Sequence, residues 1–287
     1  MADIDVKELL QAGVHFGHRV SRWNPKMLPY IFGKRHQIHI IDLRETIKGM
    51  IRGMTFLSDL AAKGGDVLFL GTKRQARTTI LANAEQCRMH YVDERWLGGT
   101  LTNYDTIRSR LNRLQELERM QEDGTLRTYS KKAISRLMRE KRRILRNLHG
   151  IRNMSKLPGV LIIVDPRREV IAVREANRLN IPVIGILDTD SDPDRIDIPI
   201  PANDDAMRSI QAILSKLTDA IMEGLAARTE GQAVPERPAA APKAKETGEG
   251  SGASGAEAAE GKEAAATATA TAPKPKSERR DEKDSKK

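Results

Sequence analysis

Five cations, Lys132, Arg136, Arg139, Arg143 and Arg146, recur at spacings of three and four residues. On a helical wheel turning about 100° per residue they gather on one arc that holds no acid. Such a stripe can neutralise a run of phosphates, whereas an ordinary solvated helix face mixes both signs. A second set of cations, Arg19, Arg22, Lys26, Lys34 and Arg35, surrounds Trp23 and Tyr30 in a chain that is only 3% aromatic. Aromatics interleaved with cations suit unpaired bases and phosphates; the competing reading is that the two rings pack the segment onto the core. A third feature is Gly71-Thr72-Lys73, which follows an apolar run and opens a helix carrying Arg74 and Arg77. Free amides and the dipole at a helix start attract anions, although a plain strand-to-helix turn looks the same. Neither G-x-x-x-x-G-K-[ST] nor G-x-G-x-x-G occurs there.

Two further patterns could point to metal. His15 and His18 form an H-x-x-H pair, but Phe16-Gly17 between them does not fit the H-E-x-x-H helix of metalloproteases, so both read as structural. Asp188, Asp190, Asp192 and Asp194 could hold Mg²⁺. No nucleophile or general base is placed around them, and Asp and Pro are ordinary turn formers, so a loop role is expected. The reading of the chain therefore includes no catalytic residue, no cofactor and no metal.

The elements that must position these residues follow from periodicity. Apolar runs at 66–70, 90–92, 160–164 and 182–187, with extended stretches at 37–42 and 198–201, alternate with amphipathic helices at 6–12, 43–62, 73–88, 169–179 and 202–226. Asp5 and Thr72 stand where N-caps belong, and Asp204 and Asp205 fall in the first turn of the last helix. Residues 13–31, with two prolines and two glycines, read as irregular and extended. This alternation predicts an α/β fold: a mainly parallel sheet with helices on both faces. The loop at 93–103 holds Arg95 after a strand's C-terminal end, where α/β proteins place binding residues.

Residues 105–156 interrupt the alternation. They hold 15 Lys and Arg against 6 Asp and Glu, nearly the whole of the chain's net charge of +10. Ile107, Leu111 and Leu114 mark one helix, which Arg108 opens on its polar side, and Glu122-Asp123-Gly124 stops it. Ser130 caps a second, whose Ile134, Leu137, Met138, Leu145 and Leu148 lie opposite the cationic arc. An inserted antiparallel coiled-coil hairpin follows. The expected organisation is an α/β body at 1–104 and 157–228, the hairpin at 105–156, and a disordered low-complexity tail at 229–287. That tail is Ala-, Gly-, Thr- and Pro-rich and has Val234 as its only large aliphatic.

The bulk numbers narrow the class. A net charge of +10 over 287 residues suggests a polyanionic partner. No uncharged apolar run reaches the roughly 18 residues a membrane span needs, and no secretory h-region opens the chain. Cys87 is alone, so neither a disulfide within the chain nor a Cys-rich zinc site can form. A soluble, cytoplasmic protein is expected.

Several motifs together make the sequence resemble the bacterial small-subunit ribosomal protein family numbered two. They are His15-Phe16-Gly17-His18, Trp23-Asn24-Pro25-Lys26-Met27, His39-Ile40-Ile41-Asp42-Leu43, Phe69-Leu70-Gly71-Thr72-Lys73 and Trp96-Leu97-Gly98-Gly99-Thr100-Leu101-Thr102-Asn103. Later matches are Leu157-Pro158-Gly159, Val164-Asp165-Pro166, Asp192-Pro193-Asp194 and the run Ile198-Pro199-Ile200-Pro201-Ala202-Asn203-Asp204-Asp205-Ala206. Asp190-Ser191 stands where Asn-Cys is common, and Leu148-His149-Gly150 where Gly-Gly is frequent. The resemblance implies a non-catalytic, ribosome-bound protein on small-subunit ribosomal RNA, with neighbouring ribosomal proteins that include the large OB-repeat one capturing messenger RNA. It implies no membrane and no small-molecule substrate. Two rivals stand beside it: a nucleotide- or sugar-phosphate-binding α/β enzyme using the 71–73 turn and the aspartate loop, and an interaction module whose arm docks another helix.

Overall fold

The computed structural model describes residues 4–231. Helix α1 (Val6–Ala12) is capped by the Asp5 carboxylate on the Lys7 amide. The stretch read as irregular contains regular structure: β1 (Phe16–Arg19), a 3₁₀ helix at Pro25–Tyr30 and β2 (Ile31–Arg35) precede β3 (Ile38–Ile41). The three strands form an antiparallel sheet in the order β1-β3-β2. Register shifts interrupt both pairings, and β1 reads Phe-Gly-His-Arg, so a period-two apolar signal is missing.

The body follows the expected α/β rhythm. α2 (Leu43–Ala62), β4 (Val67–Leu70), α3 (Arg74–Cys87) and β5 (His90–Val92) come first. Two helices of the basic stretch follow, α4 (Tyr104–Glu122) and α5 (Lys131–Leu148). Then come β6 (Val160–Val164), α6 (Val170–Arg178), β7 (Val183–Leu187), β8 (Ile198–Pro201) and α7 (Met207–Gly231). Strands β4 to β8 make one parallel five-stranded sheet in the order β5-β4-β6-β7-β8. Pro199 and Pro201 are tolerated because β8 is an edge strand.

Alternate residues of the buried strands feed two cores. Val67, Phe69, Val160 and Ile162 point into one with Met50, Leu57, Leu214 and Leu217 of α2 and α7. Leu68, Leu70, Leu161 and Ile163 point into the other with α6 and the base of α4 and α5, through Ile107, Leu111, Ile144 and Leu148. Helices thus cover both faces, as period-two strands buried on both sides require. Gly49 lets α2 ride directly over β8, since a Cβ there would lie 2.4 Å from the Pro199 carbonyl oxygen.

Two local expectations need correction. Thr72 does not cap α3: its hydroxyl donates to Glu169 Oε1 at 2.5 Å, and Lys73 occupies the cap position without a side-chain hydrogen bond. The last helix begins at Met207 and not at 202, because Asn203 Oδ1 turns the chain by accepting from the amides of Asp205 and Ala206. Asp204 and Asp205 therefore precede the helix. Of the expected tail, residues 229–231 continue α7; the remainder lies outside the described residues.

Candidate nucleic-acid interface

The stripe on α5 stands as the wheel drew it. Lys132, Arg136, Arg139, Arg143 and Arg146 are all exposed, and none makes an ion pair among the described residues. Ser130 caps the helix by accepting from the Ala133 amide. The opposite face turns inward, with Ile144 and Leu148 buried. α4 packs alongside, held by Arg113 to Glu140 at 3.6 Å and Lys141 Nζ to Gln121 Oε1 at 2.9 Å. Between the stripe and the Leu97 loop runs a groove of about 960 Å³ whose wall carries Arg110, Lys132, Arg136, Arg139 and Arg143.

The N-terminal cations divide. Arg19, Arg22, Lys34 and Arg35 are exposed and without ion pairs among the described residues, and Trp23 is 36% exposed. Lys26 instead reaches across to Asp192, at 3.1 Å, and to Asp194, tying the 3₁₀ helix to the aspartate loop. Arg74, Arg95 and Arg108 are exposed; Arg77 pairs with Glu94 at 3.0 Å.

Lys73 departs furthest from the expectation for it. The strand order of the body reverses between β4 and β6, and open α/β sheets hold ligands in the crevice at that reversal, beyond the strands' C-terminal ends. Here Lys73 fills the crevice. Its ammonium lies 2.8 Å from Asp204, 2.8 Å from Asp205 and 3.3 Å from Asp165, and only 13% of the side chain is exposed. Burial alone would lower its pKa, but the Asp204 and Asp205 carboxylates raise it and hold the cation charged. The Asp204 carboxyl is pushed up to about 7 by burial, then by Asp188 and Asp165, with Lys73 opposing. Beside it Glu169, its pKa raised by burial, accepts from Thr72. The place where a nucleotide phosphate would sit is occupied by the protein's own charges.

The aspartate loop is likewise engaged with its own chain. Asp188 accepts from the His18 amide, and its other oxygen lies 2.8 Å from His18 Nδ1. Asp190 pairs with Arg167, and Asp192 and Asp194 with Lys26. His18, Asp188 and Asp204 bring ligand-type atoms within 4.8 Å of one another, and Lys73 already supplies positive charge there through Asp204.

His18 yields a pH prediction. The hydrogen bond to Asp188 raises its pKa to about 9 against the opposing effect of burial. A folded-state pKa above the unfolded value of about 6.5 makes this contribution fully present below pH 6.5. It is lost as pH rises through about 9. In an NMR titration the His18 ring protons should move near pH 9, and Asp188→Asn should return the midpoint towards 6.5. A native midpoint at the ordinary histidine value would contradict the pairing.

Sequence reasoning missed Glu175. Its carboxylate, 8% exposed, accepts from Trp96 Nε1 and from the amides of Gly99, Leu101 and Thr102, and so fixes the loop leading into α4. The available signal was an acid set among Ala172, Val173 and Ala176, on the buried face of α6.

A family model described as ribosomal protein S2 matches residues 9–224. The small ribosomal subunit protein uS2 of Rhodopirellula baltica is 54% identical over 240 residues, which span 84% of this chain and 92% of that relative.

Proposed function

The chain belongs to the ribosomal protein S2 family, and we propose that it binds small-subunit ribosomal RNA chiefly by neutralising phosphates, on two surfaces. Membership makes it a structural protein of the small ribosomal subunit, cytoplasmic and ribosome-bound, and not an enzyme. The observation that carries the RNA reading is the α5 stripe: five exposed cations with no acid of this chain paired to them among the described residues. Arg19, Arg22, Lys34 and Arg35 form the second surface, with Arg74, Arg95 and Arg108 adding exposed charge. Lys26, Lys73 and Arg77 are instead paired with acids of this chain, holding the aspartate loop, the crevice and the start of α3 in place. Residues 105–156 serve as an inserted coiled-coil hairpin on an α/β body at 1–104 and 157–228.

A neighbouring ribosomal protein, of the large OB-repeat kind, is proposed to dock beside the RNA. Leu28 is 63% and Phe32 70% exposed within one short segment, an apolar surface better suited to protein than to phosphate.

Binding to ribosomal RNA should weaken steeply with salt, by about 10³–10⁵ between 50 and 200 mM if six to ten phosphates are contacted. The purified protein should also co-sediment with small subunits at low salt. A protein that stayed out of subunit fractions and bound a mononucleotide stoichiometrically would overturn the proposal in favour of the enzyme reading.

A further inference from the structure

A cavity of about 530 Å³ opens beside the N-terminal sheet, walled by Trp23, Arg22, Asn24, Ser21, Arg167 and Asp190. We propose that it holds one unpaired base of a single-stranded RNA segment, stacked on Trp23, with the flanking phosphates on Arg22 and Arg19. The proposal rests on the RNA-binding reading and names what one of its two surfaces takes.

The platform is the first support. Trp23 lies against the buried His39 ring, centroids 5.2 Å apart, and lines the cavity with the rest of its surface. The other tryptophan, Trp96, is 7% exposed and donates to Glu175. A half-covered indole facing a cavity is the arrangement on which single-strand binders stack a base, and stacking tolerates any base because each has a π-face.

Charge and polarity are the second. The Arg22 side chain has no partner among the described residues, and Arg167 projects with 57% exposure while holding Asp190. The Asn24 Oδ1 is taken by the Lys26 amide, which leaves its Nδ2 hydrogens for a base edge. The Asp190 carboxylate offers acceptors to amino and imino groups of a base. Arg19 continues the cationic track along the chain, which suits a strand with several phosphates more than an isolated nucleotide. A duplex keeps its bases stacked and cannot supply one to the cavity.

Rigidity is the third. The Asn24 amide donates to the Thr189 carbonyl at 2.8 Å, and the His18 amide to Asp188 Oδ1 and Thr189 Oγ1, both at 3.1 Å. Gly17 permits this approach, since a Cβ would lie 2.6 Å from the Thr189 methyl carbon. A wall held in place before binding avoids part of the ordering cost of association.

Trp23 emission reports the event, because it is the exposed one of two tryptophans. The full chain is titrated with a hexamer of uridylate and, separately, with a blunt RNA duplex. The hexamer should quench emission while the duplex binds without quenching. Trp23→Leu should weaken the hexamer about tenfold or more and leave duplex affinity unchanged. Arg22→Gln, at an exposed side chain without a partner among the described residues, should weaken the hexamer severalfold with no change in unfolding temperature, which keeps the test decisive if Trp23→Leu disturbs the fold. Unquenched emission on hexamer binding, or Arg22→Gln binding it as tightly as the native chain, overturns the base pocket. Uridine monophosphate binding as tightly as the hexamer overturns the strand in favour of a nucleotide site. If the duplex binds with steep salt dependence while the hexamer does not quench, only the pocket falls; if neither RNA binds, the RNA-binding proposal falls with it.

Discussion

Replacing Arg136, Arg139, Arg143 and Arg146 together with Gln is expected to lower affinity for ribosomal RNA about 100-fold at moderate salt, with the slope of log affinity against log salt flattened by about 3. The slope carries the argument. Each phosphate neutralised releases counterions worth about 0.7–0.9 of slope, so four lost contacts remove about 3 whatever the RNA sequence. Stability should hardly move. All four side chains are exposed and without ion pairs among the described residues, such positions usually change stability by less than about 0.5 kcal/mol each, and Gln matches Arg closely in helix propensity. Their mutual repulsion at spacings of three and four residues even favours a slight gain on neutralisation. Salt-dependent binding isotherms and a thermal melt together check this. An unchanged slope would mean that the arm does not touch phosphate, and would shift it to docking a protein.

What could be read from the sequence depended on whether each signal was local. Val160–Val164 and Val183–Leu187 are buried on both faces and read as continuous apolar runs, so their strands were legible. The polar face of α5 follows from helical geometry alone and is exposed, whereas of the five apolar positions opposite it only Leu148 is buried and Ile134, Leu137, Met138 and Leu145 are half-buried. β1 was not legible, because its partner is β3 and its His18 is held by an aspartate 170 residues away. Lys73 was legible as a cation at a strand-to-helix turn, but not as one directed inward. The three carboxylates that draw it in, Asp165, Asp204 and Asp205, come from two distant loops. The same limit hid the cavity beside Trp23: Arg22 and Trp23 are adjacent in sequence, whereas Arg167 and Asp190 arrive only through the fold.

Glu175→Ala is expected to cost about 3–5 kcal/mol of stability. One carboxylate accepts from the indole of Trp96 and from the Gly99, Leu101 and Thr102 amides, at 3.2, 2.7, 3.0 and 3.2 Å. Alanine leaves these donors unsatisfied beside Trp96 and Leu101, both buried. Glu175→Gln separates charge from volume: it keeps the shape, but turns one acceptor into a donor facing donors, so it should fall between native and Ala. The pH dependence is a second check. Burial alone would raise the Glu175 pKa, but the amides of Gly99 and Leu101, the Trp96 indole and the Thr102 amide together hold it below the ordinary glutamate value. A depressed folded-state pKa gives stability that is present above the unfolded value of about 4.3 and is lost as pH falls through the folded value. The gap in melting temperature between native and Ala chains should therefore be widest near neutrality and narrow below about pH 4. Because this loop runs directly into α4, the Ala variant should also bind RNA more weakly while keeping the native salt slope, since its phosphate contacts remain and only their placement loosens. A reduced slope in that variant would instead mean that the arm's cations had left the RNA altogether.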